Sequence, residues 1–452
     1  MKLGLEESGY GGLVLEKLSA VNTKVGDTIK VTHNGQEYIG ILMPRAQIGS
    51  DSNHLVIKLD SGYNIGIRLK PESEIQKIRS PKKVKHPTDQ GAPEVKDDLP
   101  TVTILSTGGT IASKVDYKTG AVNPALTAQD LYNAVPELKD HANIRAHVLM
   151  SLLSENITTS DWSKIARAIA SEIKNGVDGI VIAHGTDTMG FTAAALSFAL
   201  QNLPIPVALV GSQRSSDRPS SDAALNLIGA TDLVGRANTA EVMIVMHGKT
   251  DDTFLYAHRG TRVRKSHTSR RDAFQSINSS PLFKIEGSEI VELSTPILRR
   301  DIERKLKLKP KFNDKVALVR TYPSMDPGII DYLRENEYRG IVIEGTGLGH
   351  TSDNLDQAIQ HAIDADIVVT MTSQCIWGRV DMNVYRTGVK LLEMGVIACE
   401  DMLAETALVK LMWLLANMKD TKEVQENLTR SFVGEIELRT ELSEYNLQWE
   451  GE

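Results

Sequence analysis

Two stretches of this 452-residue chain set hydroxyl side chains beside glycines directly after an apolar run. The first, at 107–110, reads Thr-Gly-Gly-Thr and follows the β-branched run Val102–Leu105. Glycine lets the backbone turn sharply and lets a ligand come close to it. The pattern therefore suits Thr110 as a nucleophile with backbone N–H donors nearby for an oxyanion. The alternative is a strand-exit turn whose threonine caps the following helix.

The same stretch does not fit the glycine-rich loops that bind phosphate. Such a loop requires a lysine followed by serine or threonine after its last glycine, whereas Thr110 is followed by Ile111 and Ala112. The dinucleotide fingerprint requires a third glycine at a fixed place, and this stretch has none there. Nucleotide binding is therefore disfavoured here, and hydroxyl chemistry is favoured.

A second stretch, 181–189, repeats the arrangement as Val-Ile-Ala-His-Gly-Thr-Asp-Thr-Met. An apolar strand again ends near glycine, and Thr186 and Asp187 follow before a helical pattern begins. Threonine and aspartate are also favoured helix N-caps, so a structural role is the simpler interpretation of this stretch alone. Two such exits from one parallel sheet, however, would meet in the same crevice beyond the strand ends.

A third candidate, Lys265, lies in the basic run 262–268. By composition this run is best explained as a charged surface. If Lys265 instead lies beside Thr186 and Asp187, it could act as a base for a threonine hydroxyl. The sequence leaves both alternatives open.

The composition limits the class of protein. The formal net charge is −7 and the isoelectric point is near 5.9, which argues against a protein that holds nucleic acid by charge alone. Only two cysteines occur, so a disulfide framework is excluded and a reducing cytoplasm is the expected setting. We expect no membrane span, no secretory signal and no metal site, since the corresponding sequence patterns do not occur.

The elements that must position these residues form an α/β protein. Turn signals separate short strands in the N-terminal region, which predicts a small all-β, barrel-like domain. From residue 101, buried strands alternate with helical patterns, which predicts a doubly wound core in two units. We divide the chain into an accessory β domain (1–79), a linker (80–100), an N-terminal α/β domain with the active site (101–292), a connection (293–314), a C-terminal α/β domain (315–420) and a C-terminal extension (421–452).

The same patterns predict individual elements. The predicted strands are 28–32, 37–43, 54–59 and 64–69 in the first domain, then 102–105, 179–183, 207–210, 242–246, 316–319, 340–343 and 367–370 in the core. The predicted helices include 160–174, 189–201 and 400–417. The last helix is rich in leucine and methionine, and it could supply either an apolar face for a dimer or part of the internal core.

Taken together, the motifs resemble those of one enzyme family. Segments 107–113 and 184–188 are similar to the two signature motifs of the bacterial-type L-asparaginases. The similarity continues through 210–214, through the Lys265 segment to residue 274, and from Gly395 to Leu415. Two long motifs in the right order are far more specific than a lone glycine pattern. The resemblance covers residues 101–415 and implies hydrolysis of a side-chain amide.

The resemblance assigns the catalytic roles. Thr110 matches the first catalytic threonine, whose hydroxyl attacks the amide carbon. Thr186, Asp187 and Lys265 match a second unit that activates a nucleophile or water. Either threonine could form the acyl intermediate.

The resemblance also assigns substrate contacts. Ser154 and Glu155 match the segment that holds the α-carboxylate and amine of the substrate, and Asp187 would share the ammonium contact. Tyr117 matches the tyrosine of a mobile loop. Two features differ from the family pattern: Glu155 stands where many free asparaginases have glutamine, and the acidic residue that some of them lend across a dimer interface has no clear counterpart.

The residues before the first motif have no counterpart in plain asparaginases. An asparaginase-like core behind a small β domain and a proline-rich linker resembles the D-type subunits of archaeal-type glutamyl-tRNA(Gln) amidotransferases. The resemblance implies a ligase component that releases ammonia from glutamine or asparagine and carries no cofactor itself. An E-like partner subunit, with ATP and Mg²⁺, would bind tRNA(Gln), activate its glutamate and consume the ammonia.

This resemblance further implies a homodimer through the core, within a heterotetramer. The main alternative is a free cytoplasmic L-asparaginase with an accessory domain. A catalytically silent scaffold is disfavoured because Thr110, Thr186, Asp187 and Lys265 are all present.

Overall fold

The N-terminal unit is a five-stranded antiparallel sheet with one helix. The structure, a computed structural model, describes residues 10–43, 53–59, 64–80, 95–108, 113–115, 122–124, 131–132, 135–214 and 221–439. The N-terminal elements are α1 (Gly12–Ala20), β1 (Thr28–His33), β2 (Gln36–Leu42), β3 (His54–Leu59), β4 (Asn64–Arg68) and β5 (Glu74–Arg79). The sheet order is β4-β3-β2-β1-β5. Alternate residues such as Ile29, Val31 and Leu55 face a common apolar core.

The predicted small β domain is confirmed, but β5 and α1 were missed. The two isoleucines of β5 are three residues apart, so they do not produce the alternation that marks a half-buried strand. Pairing with β1 sets Ile75 opposite Val31, which buries Ile75 and leaves Ile78 47% exposed. Tertiary pairing therefore creates this strand where the local pattern is weak.

The central unit is built on an eight-stranded sheet in the order β18-β17-β14-β13-β12-β10-β6-β9. Its elements are β6 (Thr101–Ser106), β7 (Ser113–Val115), β8 (Val122–Pro124), β9 (Asn143–Val148), α2 (Thr159–Lys174), β10 (Gly179–Ala183), α3 (Met189–Ala199), β11 (Leu200–Gln201), β12 (Val207–Val210), α4 (Ala223–Arg236), β13 (Val242–His247), β14 (Leu255–Arg259), β15 (Val263–Lys265), β16 (Phe274–Ser276), β17 (Phe283–Glu286) and β18 (Glu289–Glu292). Strands β9, β6, β10, β12 and β13 run parallel, whereas β14, β17 and β18 are antiparallel.

The predicted doubly wound core is confirmed. Every residue of β10, β12 and β13 is buried, as expected for parallel strands that are covered on both faces. Side chains of α4 pack on one face, and side chains of α2 and α3 pack on the other. The carboxyl ends of the parallel strands are therefore left as the open edge at which ligands usually bind.

The connection between the two core units is anchored to the central unit. Its strand β19 (Lys307–Leu308) pairs antiparallel with β11. The backbone N–H of Lys309 also donates to the carbonyl of Ala199 at 2.8 Å. The connection is thus held to the central unit by backbone hydrogen bonds and by its few apolar residues, since Ile297 is buried in one core cluster and Leu308 and Phe312 pack against the other.

The C-terminal unit has a four-stranded parallel sheet in the order β20-β21-β22-β23. Its elements are β20 (Val316–Arg320), α5 (Gly328–Glu335), β21 (Gly340–Gly345), α6 (Asp356–Asp364), β22 (Val368–Ser373), α7 (Arg386–Met394), β23 (Ile397–Ala398), α8 (Ala404–Asn417) and α9 (Thr421–Leu428). Short 3₁₀ turns occur at Pro136–Asp140, Ser154–Asn156 and Asp353–Leu355 in the two core units.

Helix α8 lies inside the core, which decides between its two predicted roles. Trp413 is 1% exposed, and its ring stacks on Phe198 of α3 at 5.7 Å between centroids. Val424 and Leu428 of α9 pack in the same apolar cluster. Residues 421–428 therefore belong to the C-terminal unit, not to a separate extension. Among the described residues, no helix is both long enough and apolar enough to cross a membrane.

Candidate active site

The two hydroxyl-bearing stretches leave the sheet side by side. Strands β6 and β10 are parallel neighbours, with Ser106 opposite Ala183. Just beyond them, the backbone N–H and the side-chain hydroxyl of Thr107 both donate to the carbonyl of Ala183, at 3.0 and 3.1 Å. The N–H of His184 donates in turn to the carbonyl of Val210 at 2.9 Å. Both stretches thus begin at the open edge of the sheet.

Lys265 joins the second stretch at this edge. Its Nζ donates to Thr186 Oγ1 at 2.9 Å and to Asp187 Oδ1 at 2.6 Å. The Lys265 side chain is 13% exposed, whereas that of Asp187 is 68% exposed. The structure therefore brings these three residues together, and Lys265 is not part of a freely solvated basic surface.

Close packing at two glycines fixes the loop that carries Thr186. A Cβ at Gly211 would lie 2.7 Å from Thr186 Cγ2 and 2.6 Å from Met189 Cε. A Cβ at Gly185 would lie 2.8 Å from the Cβ of Ser154. Real Cβ atoms are not found at such distances, so both positions require glycine. The absence of a side chain at these positions allows the neighbouring loops to pack closely.

The turn that carries Ser154 and Glu155 is attached to the second stretch. Thr188 Oγ1 donates to the carbonyl of Ser154 at 2.6 Å. Ser154 is 4% exposed, and Glu155 is exposed. The structure thus places both predicted substrate-contact residues on the loop next to Thr186, although their side chains differ in exposure.

Thr188 has a role that sequence reasoning missed. It is the N-cap residue of α3, but its side chain makes no capping bond to that helix. Its hydroxyl is used instead to hold the Ser154 turn. The only signal in the sequence is that Thr188 follows Thr186 and Asp187 in the same motif.

A buried polar network supports the neighbouring strand exit after β12. Both oxygens of Asp222 accept backbone N–H bonds at 2.9 Å, one from Gln213 and one from Arg214. Asn226 donates to the carbonyl of Gly211 at 3.0 Å, and its own oxygen lies 2.6 Å from His247 Nδ1. The side chains of Asp222, Asn226 and His247 are buried, and the network holds Gly211 against Thr186.

His184 is a neutral group at this edge. Complete burial lowers the pKa of His184 to about 4, although the hydrogen bond to the carbonyl of Gly185 opposes that shift. Its Nδ1 lies 2.6 Å from that carbonyl oxygen, and its Nε2 has no partner in the described part of the chain. The imidazole is therefore uncharged near neutral pH and keeps the motif in place without adding charge.

Two residues predicted for the site, Thr110 and Tyr117, lie outside the described residues. Within the described ranges, we find no group of three or more His, Cys, Asp and Glu side chains arranged to hold a metal ion. The described part of the site offers an amine bonded to both a hydroxyl and a carboxylate. Such an arrangement can take the proton of a hydroxyl nucleophile and return it to a leaving amine.

Three family models match the chain. "Asparaginase, N-terminal" matches residues 101–298, "Glutaminase/Asparaginase C-terminal domain" matches residues 315–428, and "GatD N-terminal domain" matches residues 23–78. The three models cover the N-terminal sheet and both core units.

Curated relatives extend the similarity over nearly the whole chain. The D-type subunit of the glutamyl-tRNA(Gln) amidotransferase of Pyrococcus furiosus is 51% identical over 427 residues, which is 94% of this chain and 97% of the relative. The protein of the same name from Methanosphaera stadtmanae is 48% identical and covers 95% and 97%.

Among solved structures, the thermostable L-asparaginase from Thermococcus kodakarensis matches with a TM-score of 0.68 and 33% identity, over 75% of this chain and 99% of its own. L-asparaginase I from Vibrio cholerae matches with a TM-score of 0.66 and 30% identity, over 75% of this chain and 100% of its own.

Proposed function

Because this chain belongs to the family of D-type subunits of glutamyl-tRNA(Gln) amidotransferases, we propose that it is the amide-hydrolysing subunit of a tRNA-dependent amidotransferase. It releases ammonia from glutamine or asparagine, and the ammonia converts Glu-tRNA(Gln) to Gln-tRNA(Gln). The chain itself needs no cofactor for this hydrolysis.

One observation carries the proposal. The Lys265 amine lies 2.9 Å from the Thr186 hydroxyl and 2.6 Å from the Asp187 carboxylate, although residues 186 and 265 are far apart in sequence. An amine in this position can act as the base that activates a threonine hydroxyl or a water. The carboxylate orients the amine and stabilises the ammonium that forms.

The roles of the remaining residues follow from the asparaginase resemblance. Thr110 attacks the side-chain amide carbon, and backbone N–H groups of the glycine turn stabilise the oxyanion. Ser154, Glu155 and Asp187 bind the α-carboxylate and ammonium of the substrate, and Tyr117 closes over it. The attachment of the Ser154 turn to Thr188 supports this assignment, because it puts that turn beside Thr186.

Partners complete the reaction. We propose a homodimer through the core, joined in a heterotetramer to an E-like subunit that binds tRNA(Gln) and uses ATP with Mg²⁺. The net charge of −7 supports recognition of tRNA mainly by that partner, because phosphate contacts need a basic surface. A reaction on charged tRNA also supports a cytoplasmic location.

The test measures ammonia release from glutamine by the full chain alone, with its partner, and with the partner plus Glu-tRNA(Gln) and ATP. We expect stepwise acceleration, since ammonia made without an acceptor is wasted. Thr110→Val, which keeps the side-chain shape and removes the hydroxyl, should nearly abolish release in every mixture. A variant with most of its activity left would contradict the assignment of Thr110.

A second candidate function is a free L-asparaginase with an accessory domain. The structural similarity to the L-asparaginase from Thermococcus kodakarensis favours it, because that similarity covers 99% of that enzyme. Equal and fast turnover of asparagine in all three mixtures would support this candidate over the amidotransferase.

A further inference from the structure

We propose that Asp401, in the C-terminal unit, is a positioning residue for Lys265. This inference rests on the proposed role of Lys265 in amide hydrolysis. According to this proposal, amide hydrolysis also depends on a residue outside both signature motifs. That residue belongs to the second core unit and holds in place the hairpin that carries Lys265. We call strands β15 and β16 with their connecting loop the Lys265 hairpin.

The Lys265 hairpin is too small to be stable without contacts to the rest of the protein. It has two strands of three residues each, with Lys265 paired to Phe274 at the end nearest the loop. A lone two-stranded hairpin is marginally stable in water. Val263 and Phe274 anchor it by packing into the core of the central unit, and Phe274, the pairing partner of Lys265, holds the end nearest the loop. The outer end is held by further contacts.

Both outer ends of the hairpin are tied to Asp401. Arg262 precedes β15, is fully buried, and donates from Nη1 to Asp401 Oδ2 at 2.8 Å. Asn278 follows β16 and donates from Nδ2 to the backbone carbonyl of Asp401 at 3.0 Å. Asp401 thus accepts one hydrogen bond from the residue just before β15 and one from the second residue after β16.

Asp401 is itself held firmly. It is 2% exposed and lies between β23 and α8 of the C-terminal unit. Its Oδ1 accepts the backbone N–H of Glu437 at 3.1 Å, and the carbonyl of Gly434 accepts Arg262 Nε at 3.0 Å. Arg262 and Asp401 therefore form a buried ion pair. The backbone at Gly434 and Glu437 is hydrogen-bonded to its two members.

The neighbouring contacts act in the same direction. Arg264, adjacent to Lys265, lies 3.3 Å from Glu405 Oε1 through its Nε. Thr406 Oγ1 donates to the carbonyl of Thr261 at 2.8 Å. The start of α8 thus contacts Thr261 and Arg264, one on each side of Arg262, and a shift of α8 relative to the central unit would move β15.

Such a shift would affect catalysis more than substrate binding. Lys265 is three residues from Arg262, or about 10 Å along an extended strand, so a small rotation at Arg262 displaces its amine. A misplacement of about 1 Å can cost on the order of 100-fold in rate. Of the proposed substrate contacts, Ser154 and Glu155 lie on a different loop, and Asp187 is carried by the segment after β10, so none of the three is part of the hairpin.

The experiment compares Asp401→Ala and Asp401→Asn with Asp232→Ala and Asp232→Asn in the full-length chain. Asp232 is a matched control because it is also 2% exposed and is bonded to a nitrogen donor, His141, at 2.9 Å, but lies on α4 away from the hairpin. We expect Asp401→Ala to lower kcat for glutamine hydrolysis about tenfold or more and to leave KM within about twofold. Asp401→Asn, which keeps an acceptor oxygen, should restore part of the loss.

Lys265→Met in the same assay separates this proposal from the proposed function. If Lys265→Met retains activity, the assigned role of Lys265 is wrong. If Lys265→Met is inactive but Asp401→Ala loses no more kcat than Asp232→Ala, the positioning role of Asp401 is refuted. Thr406→Val, which only removes the donor to Thr261, provides a second variant if Asp401→Ala does not fold. A kcat equal to that of the wild type would then overturn the requirement that the second core unit holds the hairpin in place.

Discussion

Two buried histidines should make this protein lose stability in mild acid by a predictable amount. Complete burial lowers the pKa of His258 from 6.5 to about 3 and that of His184 to about 4. His258 Nδ1 lies 2.8 Å from Ser276 Oγ, and its Nε2 has no partner within the described ranges. Both imidazoles are therefore neutral in the fold, whereas an unfolded chain would bind protons at the same residues below pH 6.5.

The magnitude follows from proton linkage. At pH 5 an unfolded histidine is almost fully protonated, while both buried histidines are still mostly neutral in the folded state. Both folded-state pKa values lie below 5, so the loss of stability is set mainly by the histidine pKa in the unfolded chain. Each histidine therefore lowers the free energy of unfolding by about 2 kcal/mol between pH 7 and pH 5. The stability contribution is complete above pH 6.5 and is lost progressively as the pH falls towards the folded-state pKa.

The variant that tests this reasoning is His258→Gln, whose amide can still bond Ser276 but does not titrate. We expect the fall in free energy of unfolding between pH 7 and pH 5, measured by urea denaturation, to be about 2 kcal/mol smaller than in the wild type. His361→Gln serves as the control, because His361 is exposed on α6, and it should leave the difference unchanged. An undiminished fall in His258→Gln would refute the argument that His258 is buried and neutral.

Three further predictions concern the site. Lys265→Met should lower kcat for amide hydrolysis by at least about 100-fold, because it removes the amine that contacts the Thr186 hydroxyl; steady-state kinetics would check this. Thr188→Val removes the donor to the Ser154 carbonyl, and a lost hydrogen bond of about 1 kcal/mol should raise KM for glutamine about fivefold. Gly211→Ala places a Cβ against Thr186 and Met189, so we expect a loss of about 1–3 kcal/mol in urea unfolding and a lower kcat.

Local patterns along the chain were enough to predict the fold class and the chemical groups of the site. Fully apolar runs such as 179–183 are typical of strands covered on both faces. Two of these runs end near a glycine followed by hydroxyls, which indicated a doubly wound sheet with a site at its edge. The local sequence pattern did not predict β5, because the isoleucines of this strand do not alternate with polar residues. This strand forms through its pairing with β1.

Contacts between distant parts of the chain could be read only from the folded molecule. By composition Lys265 was better explained as a surface charge, and only the packing of its hairpin sets its amine 2.9 Å from the Thr186 hydroxyl. Helix α8 could have formed a dimer face, and only its packing on α3 made it core. The buried pair of Arg262 and Asp401 was not predictable, because no local pattern marks the two residues as partners. Local patterns report which surface of an element is apolar, but the partner that covers it depends on how the whole chain packs.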